Sequence, residues 1–399
     1  MFLCSTVLGA PGVDDARAAT VIHESQFLRV FDAEHPAVIA LGDRVADAEA
    51  ARIGAGTLAS PTLDAEVEAP DGAADQTTVR LGWTPPLDGR RGAAIDAAEA
   101  TLEAARHDLG WQRARLRQRM RAVFADWAVA EARFAALRDH VEQLRTLEQR
   151  SRLRAERGED SPLSARRLSL EVSQAVVDLA AARAERARAR ARAESAHGDL
   201  PADAVPRLPA LPPVPEITAD FARADVLARR SEVDAAAAAA RRAGRVFRFP
   251  ELGVGWTNIS EADEDFSGPV FGATWEVPLF DRDQDLRTRA ERERALAEAR
   301  LVRTERRARA ERGAALEAYR ALVATANDVD TALDGATGVI DAARASFLAG
   351  ESSTTDLLDT LRSVIASRLA ALDLHARALA AHRELELNTR SETTEGSEE

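Results

Sequence analysis

The sequence predicts a mainly α-helical protein with a small β portion, built from one unit that occurs twice. Three landmarks recur at a constant separation of 192 residues: Trp83 with Trp275, Pro86 with Pro278, and Gly158 with Gly350. Agreement at one fixed spacing over so long a stretch indicates an internal duplication. Each copy is predicted to contain a helix, a β-hairpin, a long helix, a Gly-Glu break and a return helix.

The composition favours long, closely packed helices over a large globular core. Hydrophobic residues make up 46% of the chain, much of it Ala, and aromatic residues only 5%, which suits helices that approach each other closely. The net charge is −13, and all 53 basic residues are Arg. We therefore predict no nucleic-acid partner, because phosphate binding depends on a positive surface.

The N-terminal segment resembles part of an export signal. Residues 1–10 match the end of the apolar region of a signal peptide, but the positively charged start is missing. Lipidation of Cys4 is disfavoured, because three residues before it are too few for a lipoprotein signal. As Cys4 is the one cysteine, neither an internal disulfide nor a cysteine zinc site is expected. The sequence contains no run of 18 apolar residues, so no transmembrane helix is predicted.

Two stretches with a period of two residues predict β-hairpins at 60–86 and 250–279. In the first, Leu63, Ala65 and Val67 alternate with acidic residues, and a Pro-Asp-Gly turn follows. The remaining runs place Trp83, Trp256 and Trp275 on apolar faces. A lone hairpin is marginal in water, so these strands need a protein core or lipid. Outward apolar residues with aromatics near strand ends are typical of outer-membrane barrels; a soluble α+β domain, with the hairpins packed on their own helices, is the alternative.

The long helix of the first copy, predicted from 93 to 157, carries apolar residues seven apart. They are Ile95, Leu102, Leu109, Leu116, Val123, Ala130, Leu137 and Leu144. A heptad repeat of this length predicts a coiled-coil type of seam, and the helix would span on the order of 100 Å at about 1.5 Å per residue. Seams are also predicted on both return helices, by Leu163, Leu170 and Val177 in the first copy and by Leu358, Ile365, Leu372 and Leu379 in the second.

These patterns divide the chain into five segments. Residues 1–28 are a signal remnant and linker, 29–198 the first repeat (helical hairpin 93–198), 199–217 a proline-rich linker, 218–388 the second repeat (helical hairpin 282–388), and 389–399 a disordered acidic tail. In the second repeat the long helix is predicted to run from Asp281 to Leu348.

The arrangement as a whole resembles the TolC-like outer-membrane efflux proteins, the outer-membrane factors of tripartite efflux and type I secretion systems. The resemblance covers residues 33–388. Its most specific pieces are Trp-Glu-Val-Pro-Leu-Phe-Asp-Arg at 275–282 and Ala-Gly-Glu-Ser-Ser-Thr-Thr-Asp-Leu-Leu-Asp at 349–359. It implies a homotrimer with a 12-stranded outer-membrane β-barrel, continued into the periplasm by a 12-helix α-barrel.

The same resemblance implies partners and site residues. The partners would be a periplasmic adaptor (membrane fusion) protein, an inner-membrane RND-type pump or ABC transporter, and outer-membrane lipid. Asp356 and Asp359 match the acidic constriction that forms the family's periplasmic gate. Gly158, Glu159, Ser161, Gly350, Glu351 and Ser353 match the tips that meet the adaptor, and Trp83, Trp256 and Trp275 would form a membrane aromatic belt. The family also has a basic residue just after the tip glycine as an interhelical lock, where this chain has Ser352.

Each of these residues also has a purely structural interpretation. Asp356 and Asp359 are acids near a helix N-terminus, where they are electrostatically favourable. The glycines and serines of the tips are ordinary helix caps. No P-loop, dinucleotide fingerprint or catalytic motif occurs, so no enzyme activity, cofactor or metal site is predicted. The predicted function is a passive exit duct in the outer membrane. The alternative is a periplasmic adaptor or a soluble coiled-coil scaffold, and the exported substrate is not predicted.

Overall fold

The computed structural model describes residues 20–29, 36–40, 42–69, 74–159, 161–216, 223–261 and 264–389. The apolar segment at 1–10, Cys4 and the acidic tail from residue 390 lie outside these ranges. The chain divides into two compact units. The first contains residues up to 35, 116–215 and 315–385; the second contains 36–115, 216–314 and 386 onward.

The elements follow the predicted order in both repeats. The strands are β1 Thr20–Ile22, β2 Thr62–Glu68, β3 Asp75–Trp83, β4 Ala204–Pro206, β5 Glu251–Glu261 and β6 Glu264–Thr274. The helices are α1 Glu24–Arg29, α2 Pro36–Ile39, α3 Asp43–Gly56, α4 Arg90–Glu156, α5 Pro162–His197, α6 Ala224–Ala243, α7 Gln284–Asp334, α8 Ala336–Ala349 and α9 Thr354–Thr389. The duplicated hairpin-and-helix plan is therefore present in the structure.

In the first unit, the core lies between the helices of the two helical hairpins. One cluster joins α4, α5, α8 and α9 through Val141, Leu144, Leu168, Phe347 and Leu361. Further from the tips, Phe124 and Trp127 of α4 are fully buried and meet edge to face, with ring centroids 6.1 Å apart. The predicted α4 seam is buried at Leu137 and Leu144, and the α9 seam at Leu358 and Leu379.

The seam predicted on α5 is wrong within the single chain. Leu163, Leu170 and Val177 are 59, 72 and 62% exposed. The buried seam of α5 has the same seven-residue period and a different phase, and consists of Leu168, Ala175, Ala182 and Ala189. This buried seam is mostly alanine, whereas the prediction followed the larger residues.

The predicted helix from Asp281 to Leu348 is two helices. α7 ends at Asp334 and α8 starts at Ala336. Gly335 lies between them with helical torsion angles, φ −82° and ψ −10°, so the axis is interrupted only locally. Glycine is among the weakest helix formers, which accounts for the position of the break.

Two short elements fall in segments that were interpreted as linkers. β1 pairs in parallel with β4, Val21 opposite Val205, so part of the proline-rich segment is held to the first unit. α1 follows β1 and buries Phe27, whose ring lies 5.3 Å from that of Phe124. Three-residue strands give no periodic signal in a sequence.

In the second unit, the two hairpins form one antiparallel sheet with the order β2-β3-β5-β6. The middle pair joins the repeats, with Val79 opposite Trp256 and Leu81 opposite Val254. β2 and β6 are the outer strands, and they have different sequences and lengths.

Candidate functional site

The sheet has one apolar and one polar face. The apolar face is exposed over all four strands: Leu63, Ala65, Val67, Val79, Leu81, Trp83, Leu252, Val254, Trp256 and Phe271. Phe271 is 78% exposed and Leu63 72%. Solvent-exposed apolar patches of this extent mark surfaces that meet another protein or a membrane. Since α4 and α7 do not cover it, this face lacks the helix packing that a soluble α+β domain requires.

The polar face carries Asp64, Glu66 and Glu68 on β2 and Arg80 on β3. Three glycines lie side by side across β3, β5 and β6: Gly82, Gly253 and Gly272. A Cβ on Gly253 would lie 2.9 Å from Cδ of Arg80, so the absence of side chains there lets Arg80 lie flat across the sheet. The polar face is therefore lined by charges of both signs.

The three tryptophans predicted to form a belt do not lie in one row. Trp83 ends β3 and Trp275 follows β6, and each donates its indole N–H to the backbone carbonyl just before its own hairpin. The acceptors are Ala59, at 3.2 Å, and Arg248, at 3.1 Å. Trp256 lies in the middle of β5, where it is the last apolar residue on that face before Asn258. At about 3.4 Å per residue, the row of Trp256 lies about 14 Å along the strands from Trp83 and about 20 Å from Trp275.

A buried carboxylate, Asp283, joins the two repeats where the strands lead into the long helices. Arg90 at the start of α4 and Arg248 before β5 both donate to it, Arg248 at 3.0 Å. Asp283 has φ +57°, the one positive φ among described non-glycine residues, and its side chain is 9% exposed. The hydrogen bond from Arg90 is the main cause that lowers the pKa of Asp283. Sequence analysis did not identify this clamp, whose members are far apart in the chain.

The two tips of the helical hairpins have the same capped geometry. Gly158 and Gly350 adopt φ +76° and +78°, and the next amide of each tip bonds back five residues, Glu159 N to Arg154 O at 2.9 Å and Glu351 N to Ser346 O at 2.9 Å. This is the Schellman termination that glycine permits. Ser161 then caps α5 through Leu163 N at 3.2 Å. Both long-helix ends are thus closed by backbone hydrogen bonds, and Glu159 and Glu351 are exposed.

Asp356 takes part in the cap of α9. Its carboxylate accepts from the Ser353 hydroxyl at 2.7 Å and the Ser353 amide at 3.1 Å, and the Ser353 hydroxyl accepts from the Asp356 amide at 3.2 Å. This reciprocal pair is a capping box. The hydrogen bond from the Ser353 side chain lowers the pKa of Asp356. Asp356 therefore has a local structural role in the cap of α9.

Asp359 lies in a groove between the first turns of α5 and α9, 3.7 Å from Nη1 of Arg362. Arg362 also donates through Nε to Glu171 of α5 at 2.8 Å, and Arg167 of α5 donates to Thr355 of α9 at 2.8 Å. The return helices are therefore linked twice, once in each direction. Ser352 makes no such link, and its buried hydroxyl has no hydrogen-bond partner. The sequence did not point to Arg362 and Glu171, because only the fold brings them together.

In the described part of the chain, none of the helices combines the length and the apolar character of a membrane-spanning helix. Within the same ranges, no three His, Cys, Asp or Glu side chains converge as they would to hold a metal ion.

The fold matches solved channel structures over nearly its full length. It superposes on CusC, whose structures describe folding and transmembrane channel formation, with a TM-score of 0.75 and 15% identity over 92% of this chain and 91% of that one. The outer-membrane protein VceC of Vibrio cholerae gives 0.71 and 18% identity over 92% and 95%. The chain has a TolC-like fold. The outer-membrane channel OprN also matches, with a TM-score of 0.72 and 16% identity over 92% of this chain and 89% of that one.

Sequence comparison adds one named relative of this TolC-like chain. The cobalt-zinc-cadmium resistance protein CzcC of Cupriavidus metallidurans is 25% identical over 323 residues, which is 79% of this chain and 77% of that protein. No family model matches the sequence. The predicted resemblance to the TolC-like proteins is confirmed by these comparisons.

Proposed function

We propose that the protein is an outer-membrane channel that conducts substrates passively out of the cell as the exit duct of a tripartite efflux system. The observation that carries this proposal is the exposed apolar face shared by all four strands. Contact with lipid tails stabilises a surface of this kind, whereas its exposure to water costs free energy. The adaptor or scaffold alternative leaves this face unexplained, and the TolC-like fold supports the channel.

We propose that the protein is a homotrimer, and the same sheet supports this. Four strands do not close a barrel, and the sheet ends in two unlike edges, β2 and β6. Unlike edges join head to tail, and such contacts close into rings. Three copies supply 12 strands in the outer membrane and, from α4, α5, α7–α8 and α9, 12 helices in the periplasm. Asp64, Glu66, Glu68 and Arg80 then line the lumen, while Trp83 with Trp275 and Trp256 mark the two edges of the lipid-facing band.

The capped tips are the proposed contacts with a periplasmic adaptor, itself coupled to an inner-membrane RND-type pump or ABC transporter. Gly158, Glu159 and Ser161 and their counterparts Gly350, Glu351 and Ser353 form narrow turns suited to end-on docking. Their exposed glutamates offer charge to a basic partner.

We further propose that Asp356 and Asp359 belong to the periplasmic gate. Threefold symmetry brings six of these carboxylates together at the tip end, where they attract cations. The links from Arg362 to Glu171 and from Arg167 to Thr355 hold the two hairpins of a chain together and restrict opening.

The variant Arg362→Ala is expected to raise single-channel conductance several-fold in planar bilayers, because the link to Glu171 is lost. It also removes the cation beside Asp359, so the preference for cations should increase. Adding Asp359→Asn should cancel the change in selectivity and leave the higher conductance. The control is Arg150→Ala, which removes an exposed arginine near the first tip that has no ion-pair partner among the described residues. Unchanged conductance in Arg362→Ala would rule out the proposed restriction.

Divalent transition-metal cations are the proposed cargo, since the named relative is a cobalt-zinc-cadmium resistance protein. Deletion of the gene in its host should lower tolerance to zinc, cobalt and cadmium and leave tolerance to lipophilic drugs unchanged. If the deletion strain became sensitive to drugs and kept its tolerance to metals, the cargo would be drugs rather than metals.

The first experiment is extraction from the outer membrane in detergent and measurement of the mass. A trimer of the 43.0 kDa chain that is absent from the aqueous fraction is expected. A monomer that is soluble without detergent would contradict the channel and favour the scaffold.

A further inference from the structure

Arg80 lies apart from the acids of the polar face of the sheet. Its direct neighbours at the same level are Asp64 on β2 and Gly255 on β5. The side chain turns away from Asp64. Its Cδ lies 2.9 Å from the position of a Cβ on Gly253, and its Nε lies 3.9 Å from that of a Cβ on Gly272. Arg80 therefore reaches from β3 across β5 towards β6.

The carboxylates of the same face lie along β2, and three belong to that strand: Asp64, Glu66 and Glu68. Glu251 starts on β5, but its carboxylate lies over Gly82 and accepts a hydrogen bond from the Thr62 hydroxyl of β2 at 3.5 Å. Arg80 and Glu251 thus lean in opposite directions. Negative charge follows one side of the sheet, and the guanidinium occupies the other.

The surface beneath Arg80 is bare backbone, because glycines surround it on β3, β5 and β6: Gly82, Gly253, Gly255 and Gly272. The sheet itself requires Gly255, since a Cβ there would lie 3.0 Å from Cα of Arg80. Among the described residues, a Cβ on Gly272 would meet only Nε of Arg80 within 4 Å. Glycine weakens a strand interior and is typical of places where a ligand comes close to the backbone. Gly272 therefore leaves open space beside the guanidinium.

The guanidinium is free in the described part of the chain, where Arg80 makes neither a hydrogen bond nor an ion pair. Of its nitrogens only Nε is buried without a hydrogen bond, so the two terminal nitrogens are accessible from the polar face. A guanidinium presents its donors as a planar fork that matches two oxygens of a carboxylate or phosphate. The ligand that fits this fork is a small oxyanion.

We propose that Arg80 and its glycine surface form a contact site for small oxyanions on the wall of the duct. The inference rests on the proposed channel, in which the polar face lines the lumen, and it adds a second class of solute to the proposed divalent cations. Anions pass along β5 and β6, and cations pass along the acids of β2. Outward flow of cations alone separates charge, and anions that move with them restore neutrality.

Ion selectivity in planar bilayers tests the site. The polar face of the strands carries one guanidinium against four carboxylates, so Arg80→Gln changes its net charge from −3 to −4 per chain. At 0.1 M KCl the permeability of K⁺ relative to Cl⁻ is expected to rise about two-fold, and the rise should nearly vanish at 1 M, where the Debye length is about 3 Å. Asp64→Asn, at the same level, is the control of opposite sign and should lower the ratio. An unchanged ratio in Arg80→Gln at 0.1 M overturns the site.

Arg80→Lys separates the charge from the fork, because lysine keeps the positive charge and lacks the planar pair of donors. With potassium phosphate on one side of the bilayer and KCl on the other, the permeability of phosphate relative to chloride should fall several-fold in both Arg80→Lys and Arg80→Gln. The preference of Arg80→Lys for K⁺ over Cl⁻ should stay at the wild-type value. A wild-type phosphate permeability in Arg80→Lys overturns the oxyanion as the ligand.

Failure of this site and failure of the channel give different results. Wild-type protein that forms no ion-conducting pore overturns the proposed function, whereas a pore whose Arg80 variants keep the wild-type selectivity overturns the site alone. The temperature at which the trimer dissociates should be the same in Arg80→Gln and wild type, because Arg80 has no partner in the described ranges. A clear drop would mean that the guanidinium is paired with a carboxylate of another copy, and it would overturn the anion site.

Discussion

Replacing Leu63 by Arg is expected to abolish accumulation of the protein in the outer membrane. Leu63 lies in the middle row of the apolar face, beside Leu81 and Val254 and between the rows of Trp83 and Trp256, so the proposed channel places the new guanidinium against lipid. An arginine at the midplane of a membrane barrel costs about 2–4 kcal/mol per chain, and a trimer carries three. The measurement is the amount of heat-resistant trimer in purified outer membranes.

The matched control is Glu66, on the same strand and on the opposite face. Glu66 points to the polar face and is also exposed, so Glu66→Arg introduces the same side chain toward the lumen. It should reach the outer membrane at nearly the wild-type level. Equal accumulation of both variants would mean that the apolar face does not meet lipid.

Replacing Asp283 by Asn is expected to lower the free energy of unfolding by about 2 kcal/mol, a typical value for hydrogen bonds to charged groups. Asn tolerates the left-handed backbone that Asp283 adopts, so the change isolates the charge. Two arginines lose their carboxylate, although Arg248 is 41% exposed and water recovers part of its contribution. Thermal unfolding in detergent, followed by circular dichroism, gives the difference.

The control for this clamp is Asp285→Asn, two residues away. Asp285 is 65% exposed and meets Arg289 at 3.7 Å, so its loss should change the unfolding free energy by no more than about 0.5 kcal/mol. The pH dependence is a further test. The pKa of Asp283 is lowered in the folded protein, so its stabilisation is present above the unfolded pKa and is lost as the pH falls through the folded pKa. Wild type and Asp283→Asn should therefore converge in acid.

The sequence predicted those features of the fold that repeat locally. The strand alternation around Leu81 and Val254, the capped glycines Gly158 and Gly350, and the α4 seam all depend on residues within a few turns or one hairpin of each other. The α5 seam was predicted on the wrong residues, because apolar size pointed to Leu170, whereas the buried seam of the helix is mostly alanine.

Contacts between distant parts of the chain were not predictable. The clamp of Arg90, Arg248 and Asp283 and the link from Arg362 to Glu171 join residues that no spacing rule connects. The proposed gate residues, Asp356 and Asp359, show a related limit. In the sequence, two aspartates at i and i+3 are compatible both with a channel constriction and with a helix cap. The hydrogen bond from the Ser353 hydroxyl to Asp356 is seen only in the folded structure.

The hydrogen bonds of Trp83 and Trp275 brace the bases of the two hairpins at different levels. Trp83 lies opposite Leu252, and Leu252 lies opposite Ala273. Trp275 therefore lies two residues closer to the long helices, about 7 Å at 3.4 Å per residue. At the other end the described strands finish almost level, because Asp75 at the start of β3 lies opposite Ser260 and the last pair of β5 and β6 is Glu261 with Glu264. In the proposed assembly, three such pairs of glutamates surround the mouth of the channel with negative charge.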